Sequence, residues 1–267
     1  MTKETAQFNS GEQAVVNYTY DDLGQLTGKT YGAGTYAIHE TLDYNIQGWL
    51  TEKSSELFEM SLRYYEPRRD WIDASYTGNI TEWKWRHKLV EGTILRDDYT
   101  YAYTYDDMGR MLDSHLFTFD EDHLDNGVSG LEEHLTYDKN SNILTLNRSG
   151  SSAGSAQSYN FSYIGNQRHK ETNSNRRYSY DANGNRTRDA LTDFDLSYNI
   201  LNLPEAIRTD GDAGIFYRYC ADGQKGQASQ YDAQYPYYYA GSLVYDDGIF
   251  ESASFGGGRI VGTSTGS

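Results

Sequence analysis

Proline is almost missing, with three in 267 residues against 26 glycines. Turns are therefore built mainly from glycine, and strand N–H groups stay available for ladder pairing. A single cysteine, Cys220, excludes an internal disulfide framework and a thiolate zinc site. No apolar run reaches the length of a membrane-spanning helix, and Met1–Ser10 has no apolar core of a signal peptide. Cationic side chains are few: 23 Lys and Arg face 39 Asp and Glu, a net charge of −16. That balance argues against nucleic acid, which is bound through basic patches, and against anionic lipid surfaces. Apolar content is also low, 37% with a mean hydropathy of −0.79.

What the chain has instead is tyrosine, 26 of them. Disordered chains are poor in aromatics, so tyrosine is expected to form the core, with its hydroxyl reaching a partner or water. The tyrosines alternate with small or polar residues, the period of a strand with one buried face. Tyr99, Tyr101, Tyr103 and Tyr105 do so, as do Val16, Tyr18 and Tyr20, and Phe58, Met60, Leu62 and Tyr64. Many of these strands end in one phrase. In Tyr178–Arg188, YSYDANGNRTR, Tyr180 is followed by Asp181 and, three residues later, Gly184. Asp opening a type I turn and Gly in the left-handed position after it are what such a hairpin requires.

The phrase recurs as Tyr20-Asp21 to Gly24, Tyr44-Asn45 to Gly48 and Tyr105-Asp106 to Gly109. Looser copies are Tyr137-Asp138 with Ser141 in the Gly position, Tyr198-Asn199 with Asn202, and Tyr219 with Cys220 in the Asp position and Gly223 closing. From Tyr163 onward the tyrosines of Tyr163, Tyr180, Tyr198, Tyr219 and Tyr239 are spaced by 17, 18, 21 and 20 residues, room for one hairpin per repeat. The expected fold is all-β, an array of antiparallel hairpins forming a curved or spiralling sheet. Residues 1–15 are expected to be an N-terminal extension, 16–260 the array and 261–267 a frayed tail. Asp113–His134, with seven acids and no Lys or Arg, reads as an extended acidic hairpin loop. Asn147–Ser158, rich in Ser and Gly, reads as a mobile hairpin tip.

Tyr-Asp-x-x-Gly followed by Asn, Arg or Gln, as in YDDLGQL, YDDMGRM and YDANGNR, resembles the YD repeat of bacterial Rhs and toxin-complex shell proteins. YTGNITEWKW from Tyr76 and YNILNLPEAI from Tyr198 resemble stretches of the same proteins. The resemblance covers Val16 to Ile260. It implies a non-catalytic shell that encloses or presents a C-terminal toxin or effector. Its implied partners are the remainder of the shell or the effector, with self-association through open sheet edges. It also implies a secreted or surface location; the chain shows no signal peptide of its own, so it would be cytoplasmic if complete. The family's motif preceding the effector is not found here, so the resemblance is to the repeat region.

The candidate sites are thin. Asp120, Asp122 and Asp125 are a weak calcium candidate, because an EF-hand frame would place Leu124 and Leu131 at ligand positions. The histidines at 39, 87, 115, 123, 134 and 169 show no ligand spacing. An enzyme would need His and carboxylates converging in one pocket, and none is expected, nor any cofactor. Cys220 is explained by its place in the turn register. Gly32-Ala-Gly34 lacks the context of a dinucleotide fingerprint. Trp83 and Trp85 on one strand face could stack on sugar rings, which makes a surface adhesion or carbohydrate-binding module the alternative to a shell.

Overall fold

The computed structural model describes residues 2–7, 13–88, 98–119, 127–150, 156–171, 177–189, 192–209, 214–231, 236–255 and 258–262. Apart from one short 3-10 turn at Gly34–Tyr36, the regular structure among these residues is strand. The chain divides into two units, Met1–Ser158 and Tyr159–Ser267.

The first unit holds β1 (Thr2–Gln7), β2 (Gln13–Tyr20), β3 (Leu26–Tyr31), β4 (Ile38–Tyr44), β5 (Leu50–Ser55) and β6 (Phe58–Arg63). It continues with β7 (Glu82–His87), β8 (Asp98–Tyr105), β9 (Met111–Phe119), β10 (Gly127–Tyr137) and β11 (Ile143–Arg148). Each strand pairs antiparallel with the next in chain order, so the sheet is a meander. The second unit holds the hairpin of β12 (Gln157–Ile164) and β13 (Gln167–Glu171). A ten-stranded meander follows: β14 (Ser179–Tyr180), β15 (Arg186–Arg188), β16 (Asp195–Tyr198), β17 (Pro204–Arg208) and β18 (Gly214–Tyr219). It ends with β19 (Lys225–Gln230), β20 (Tyr237–Ala240), β21 (Leu243–Asp246), β22 (Ile249–Phe255) and β23 (Gly258–Val261).

The all-β expectation holds, and several boundaries do not. Residues 1–15 are not an extension, because β1 pairs with β2 from Thr2↔Tyr18 to Gln7↔Gln13. Of the expected loop Asp113–His134, residues 113–119 belong to β9 and 127–134 to β10, while 120–126 lie outside the described residues. Cross-strand pairing sets Asp113 opposite His134 and His115 opposite Glu132. Val261 belongs to β23, opposite Ser252, and Gly262 N donates to Glu251 O, so the end of the sheet lies past residue 260. Residues 263–267 of the expected tail lie outside the described residues. So do 151–155 of the Ser/Gly-rich tip, although β11 and β12 flank it as a hairpin connection would require. Gly32–Gly34 leads into the short 3-10 turn between β3 and β4, not a strand-to-helix crossing.

The core is thin, as the low hydropathy implies. Among the described residues of the first unit, Val16, Tyr64, Ile72, Ala102, Leu116 and Leu135 are its buried apolar members. Phe161, Tyr178, Ala206 and Ala228 serve the second. Apolar residues at turn tips, Leu23, Ile46, Met108 and Ile200, are exposed.

Each hairpin turn has the expected geometry. In the opening copy, Gly24 N donates to Asp21 O and Asp21 N to Gln25 O, while a bulge falls between Thr19 and Tyr20. The fourth position is left-handed in every copy: φ is 80° at Gly24, 79° at Gly48, 75° at Gly109, 86° at Gly184 and 84° at Gly223. Ser141 and Asn202, standing in for glycine, take the same region at 66° and 57°. At Gly184 the space around a Cβ is nearly open, the nearest atom being Gln167 Nε2 at 3.5 Å, so the cost of a side chain is conformational. Gly184→Val is expected to cost about 1–2 kcal/mol, read by urea unfolding; an unchanged midpoint would refute the left-handed requirement.

Candidate functional site

Six of the motif tyrosines do one job. Tyr44 Oη donates to Leu26 O at 2.9 Å, Tyr105 to Ile80 O at 2.6 Å and Tyr137 to Met111 O at 2.7 Å. In the second unit Tyr180 donates to Arg168 O at 2.9 Å, Tyr198 to Arg186 O at 2.9 Å and Tyr219 to Pro204 O at 2.8 Å. In most rungs the acceptor sits two residues after the preceding left-handed residue: Leu26 after Gly24, Met111 after Gly109, Arg186 after Gly184, Pro204 after Asn202. Each repeat thus grips the backbone where the previous hairpin leaves its turn. Tyr64, whose turn is no copy of the motif, makes the same rung to Leu50 O at 2.7 Å. Burial raises the Tyr105 and Tyr103 hydroxyls to about 12, and raises those of Tyr64, Tyr137, Tyr180 and Tyr219 in the same direction. They remain protonated donors at neutral pH.

The motif's acidic residue serves its own turn. Asp181 Oδ1 accepts N–H from Asn183 at 3.0 Å and Asn185 at 2.8 Å, and Oδ2 accepts the Asn185 side chain at 2.9 Å. Asp21, Asp106 and Asp138 accept the same pair of backbone donors, as do the amide oxygens of Asn45 and Asn199. Cys220 cannot; the turn there keeps its backbone bonds, and Asp222 Oδ1 takes the Gln224 N–H at 3.0 Å instead. The side-chain amide of Asn142 holds Asp138 below the usual carboxylate range, that of Asn185 does so for Asp181, and the Arg110 N–H for Asp106. A carboxylate whose folded pKa is depressed adds stability above its unfolded value, near 3.9, that is lost as pH falls through the folded value. The melting temperature is therefore expected to drop as pH is taken below about 4. Asp138→Asn with Asp181→Asn should keep the neutral-pH melting temperature, since Asn already does this job at 45 and 199, and should flatten the acid slope. An unaltered slope in thermal scans from neutral to acid pH would refute it.

Trp83 and Trp85 sit on one face of β7, and their rings are engaged with each other and with β8. Trp83 and Trp85 have centroids 4.6 Å apart, and Trp85 stacks on Tyr99 at 5.5 Å and Tyr101 at 5.8 Å. All four rings are half-buried.

His115 and His134 do meet carboxylates, in an open depression of about 390 Å³. His134 Nδ1 lies 2.5 Å from Asp113 Oδ1, and His115 Nδ1 lies 3.4 Å from Glu132 Oε1. Burial pushes the Asp113 carboxyl up, but hydrogen bonds from His134 and Thr104 outweigh it and leave it below its ordinary range. Thr104 Oγ1 donates to Asp113, not to the imidazole. In a nucleophile–base–orienter chain the hydroxyl meets the ring; here the Thr104 hydroxyl braces the carboxylate of the cross-strand Asp113–His134 contact. Asp120, Asp122, Asp125 and His123 lie outside the described residues, and among the described residues no group of three His, Cys, Asp or Glu side chains is placed to hold a metal.

Sequence reasoning missed the best-buried charges. Residues 64–81 fold back over the polar face of β6 to β9. There Arg69 Nη1 meets Glu82 Oε1 at 2.8 Å, Arg68 N donates to Glu82 Oε2 at 3.1 Å and the Arg69 guanidinium lies 4.0 Å over Phe117. The only signal was charge alternating along β6 and β7, which also fits a solvated face.

No family model and no curated protein matches the sequence. Solved structures do match. The crystal structure of TcdB2-TccC3-Cdc42 superposes at a TM-score of 0.57 over 91% of this chain, at 14% identity. The fold is shared. TcdB2-TccC3-TEV gives 0.56 over 94% at 15% identity, and the Photorhabdus luminescens Tc holotoxin pore 0.52 over 94% at 14%. This chain spans only 14–15% of the length of those chains. The resemblance to Rhs and toxin-complex shell proteins therefore stands at the level of fold.

Proposed function

We propose that this chain is a non-catalytic wall segment of an exported Rhs/YD-repeat shell that encloses or presents a toxin or effector. The observation that carries the reading is the rung to the previous hairpin made by Tyr44, Tyr105, Tyr137, Tyr180, Tyr198 and Tyr219, present in both units. It uses these tyrosines for coupling between neighbouring hairpins. Repeat arrays of this kind bury their faces only against neighbours, so they extend by addition of further repeats, and the shell remainder is the natural partner. The shared fold with TcdB2-TccC3 supports the same reading. Protease protection tests it. In the polypeptide encoded by the whole reading frame, a non-shell segment should resist protease while the wall is intact and be digested once the wall is unfolded by urea. Digestion at the same rate in both conditions would overturn the proposal. The half-buried Trp83–Trp85 stack favours a second reading, a glycan-binding surface. A glycan array on which wild type binds and Trp85→Ala does not would establish it in place of the first.

A further inference from the structure

A meander alternates its connections between two borders of the sheet, and in the first unit the motif turns all fall on one of them. They join β2 to β3, β4 to β5, β8 to β9 and β10 to β11, and the long connection from β6 to β7 puts Gly78 on the same border. Consecutive turns are two strands apart, about 10 Å. A single side chain can span that gap if it lands on a bare Cα.

The residue after each left-handed position does this. A Cβ added to Gly48 would meet Gln25 Nε2 at 2.8 Å, one on Gly78 the Trp49 indole at 3.3 Å, and one on Gly109 Asn79 Nδ2 at 3.0 Å. Gln25, Trp49 and Asn79 directly follow Gly24, Gly48 and Gly78, one turn back. Asn79 Nδ2 also donates to Gly109 O at 3.2 Å. Arg110, which follows Gly109, donates to Asp138 O at 2.9 Å and to the Ser141 hydroxyl at 3.2 Å in the turn after it. The second unit repeats the pattern. Asn185, after Gly184, donates to Asn202 Oδ1 at 2.9 Å, and Leu203, after Asn202, lies 3.6 Å from the Cβ position of Gly223. At Gly24, Gly165 and Gly241 nothing among the described residues lies within 4 Å, so the contact belongs to particular pairs of turns and not to the turn shape.

We propose that the residue after the left-handed position is a turn-to-turn coupler, and that the relay of couplers holds consecutive repeats in register along one border. Gly48, Gly78 and Gly109 then have a second reason to lack a Cβ, beside their φ. Tyr44 reaches back from its hairpin to Leu26 O, while Gln25 reaches forward to Gly48, so one pair of hairpins is fastened in both directions. The use of the relay, a stiff border for a wall, rests on the wall reading. The coupling itself is a property of this chain and is measured without any enclosed segment, so it stands or falls apart from protease protection.

A double-mutant cycle separates the relay from the strain of the turn. Gly24 and Gly48 have the same φ, 80° and 79°, but only Gly48 carries a neighbour on its bare Cα. Gly24→Ala and Gly48→Ala therefore share the conformational cost of a side chain at positive φ, and Gly48→Ala also unseats Gln25. In urea unfolding of the 267-residue chain, Gly48→Ala is expected to raise the unfolding equilibrium constant about 3-fold more than Gly24→Ala does. The excess should vanish when both glycine variants are remade in a Gln25→Ala background. Gln25→Ala alone leaves every φ untouched and gives a second readout. It should speed amide exchange at Gln47 and Trp49, which Asn45 holds in the next turn, and leave Leu23, held by Asp21 in its own turn, as in wild type. Equal costs for the two glycine variants, an excess that persists without Gln25, or unchanged exchange at Gln47 and Trp49 would overturn the proposal.

Discussion

Glu82→Ala is expected to destabilise the first unit by about 3–5 kcal/mol, the cost of leaving a buried guanidinium without its partner. Glu82 is 2% exposed and holds three things at once: the Arg69 guanidinium, the Arg68 backbone and, more loosely, Arg63. Its loss should free residues 64–81 from the sheet. That makes Arg68 and Arg69 a trypsin site that is protected in wild type. A drop of about 6–20 °C in melting temperature is expected at this chain length. Replacing both partners, Arg69→Met with Glu82→Leu, should recover much of the loss, because the desolvation of two charges disappears together with their attraction. If Glu82→Ala melts like wild type and resists trypsin, the pair does not hold this segment.

The second large effect belongs to Tyr105. Its ring is half-buried, and its hydroxyl makes the shortest of the rungs, 2.6 Å to Ile80 O. Tyr105→Phe keeps the ring and removes the donor, at an expected cost of about 1 kcal/mol. Tyr105→Ala also removes the ring; for a half-buried side chain about 2–3 kcal/mol is expected, below the range for a fully buried aromatic. The Phe variant is the diagnostic one. It should raise amide exchange in β7 to β9 and leave β14 to β23 as in wild type, because the rung joins neighbouring hairpins of one unit. There is also a pH signature. A tyrosine whose folded pKa is raised to about 12 contributes stability below its unfolded value, near 10, and this is lost as pH rises through 12. The alkaline loss of stability between those values should be smaller in Tyr105→Phe.

The turns were legible because they are local. Asp or Asn, then Gly three residues later, specifies a backbone path with no help from the rest of the chain, and even the substitutes Ser141 and Asn202 fall into the left-handed region. The tyrosine rungs were half legible. The aromatic period announced a buried face, but the carbonyl that each hydroxyl meets belongs to a different hairpin, and only pairing reveals it. With the structure in hand the rule is simple, since the acceptor usually lies two residues past the previous left-handed position.

The failures have a common cause. β1 reads TKETAQ, with no large apolar residue, and becomes a strand because β2 offers it a ladder. Asp113–His134 looked like an acidic loop because charges were counted along the chain. Across the β9–β10 seam Asp113 faces His134 and Glu132 faces His115, and on β11 Arg148 Nε meets Glu133 at 2.6 Å. The Arg69–Glu82 pair was invisible for the same reason, since its two halves come from an irregular segment and a strand thirteen residues apart. Strand-to-strand partnership is a long-range property, and local pattern carries little of it.

The central claim is that these hairpins are wall and not site. A cryo-electron-microscopy map of the protein made from its whole reading frame tests it most directly. The expected result is a continuous ribbon of hairpins, one face toward an enclosed space and one toward solvent, with the Tyr105 and Tyr137 rungs in place. A map in which this sheet packs face to face against another domain into a solid core, enclosing nothing, would contradict it.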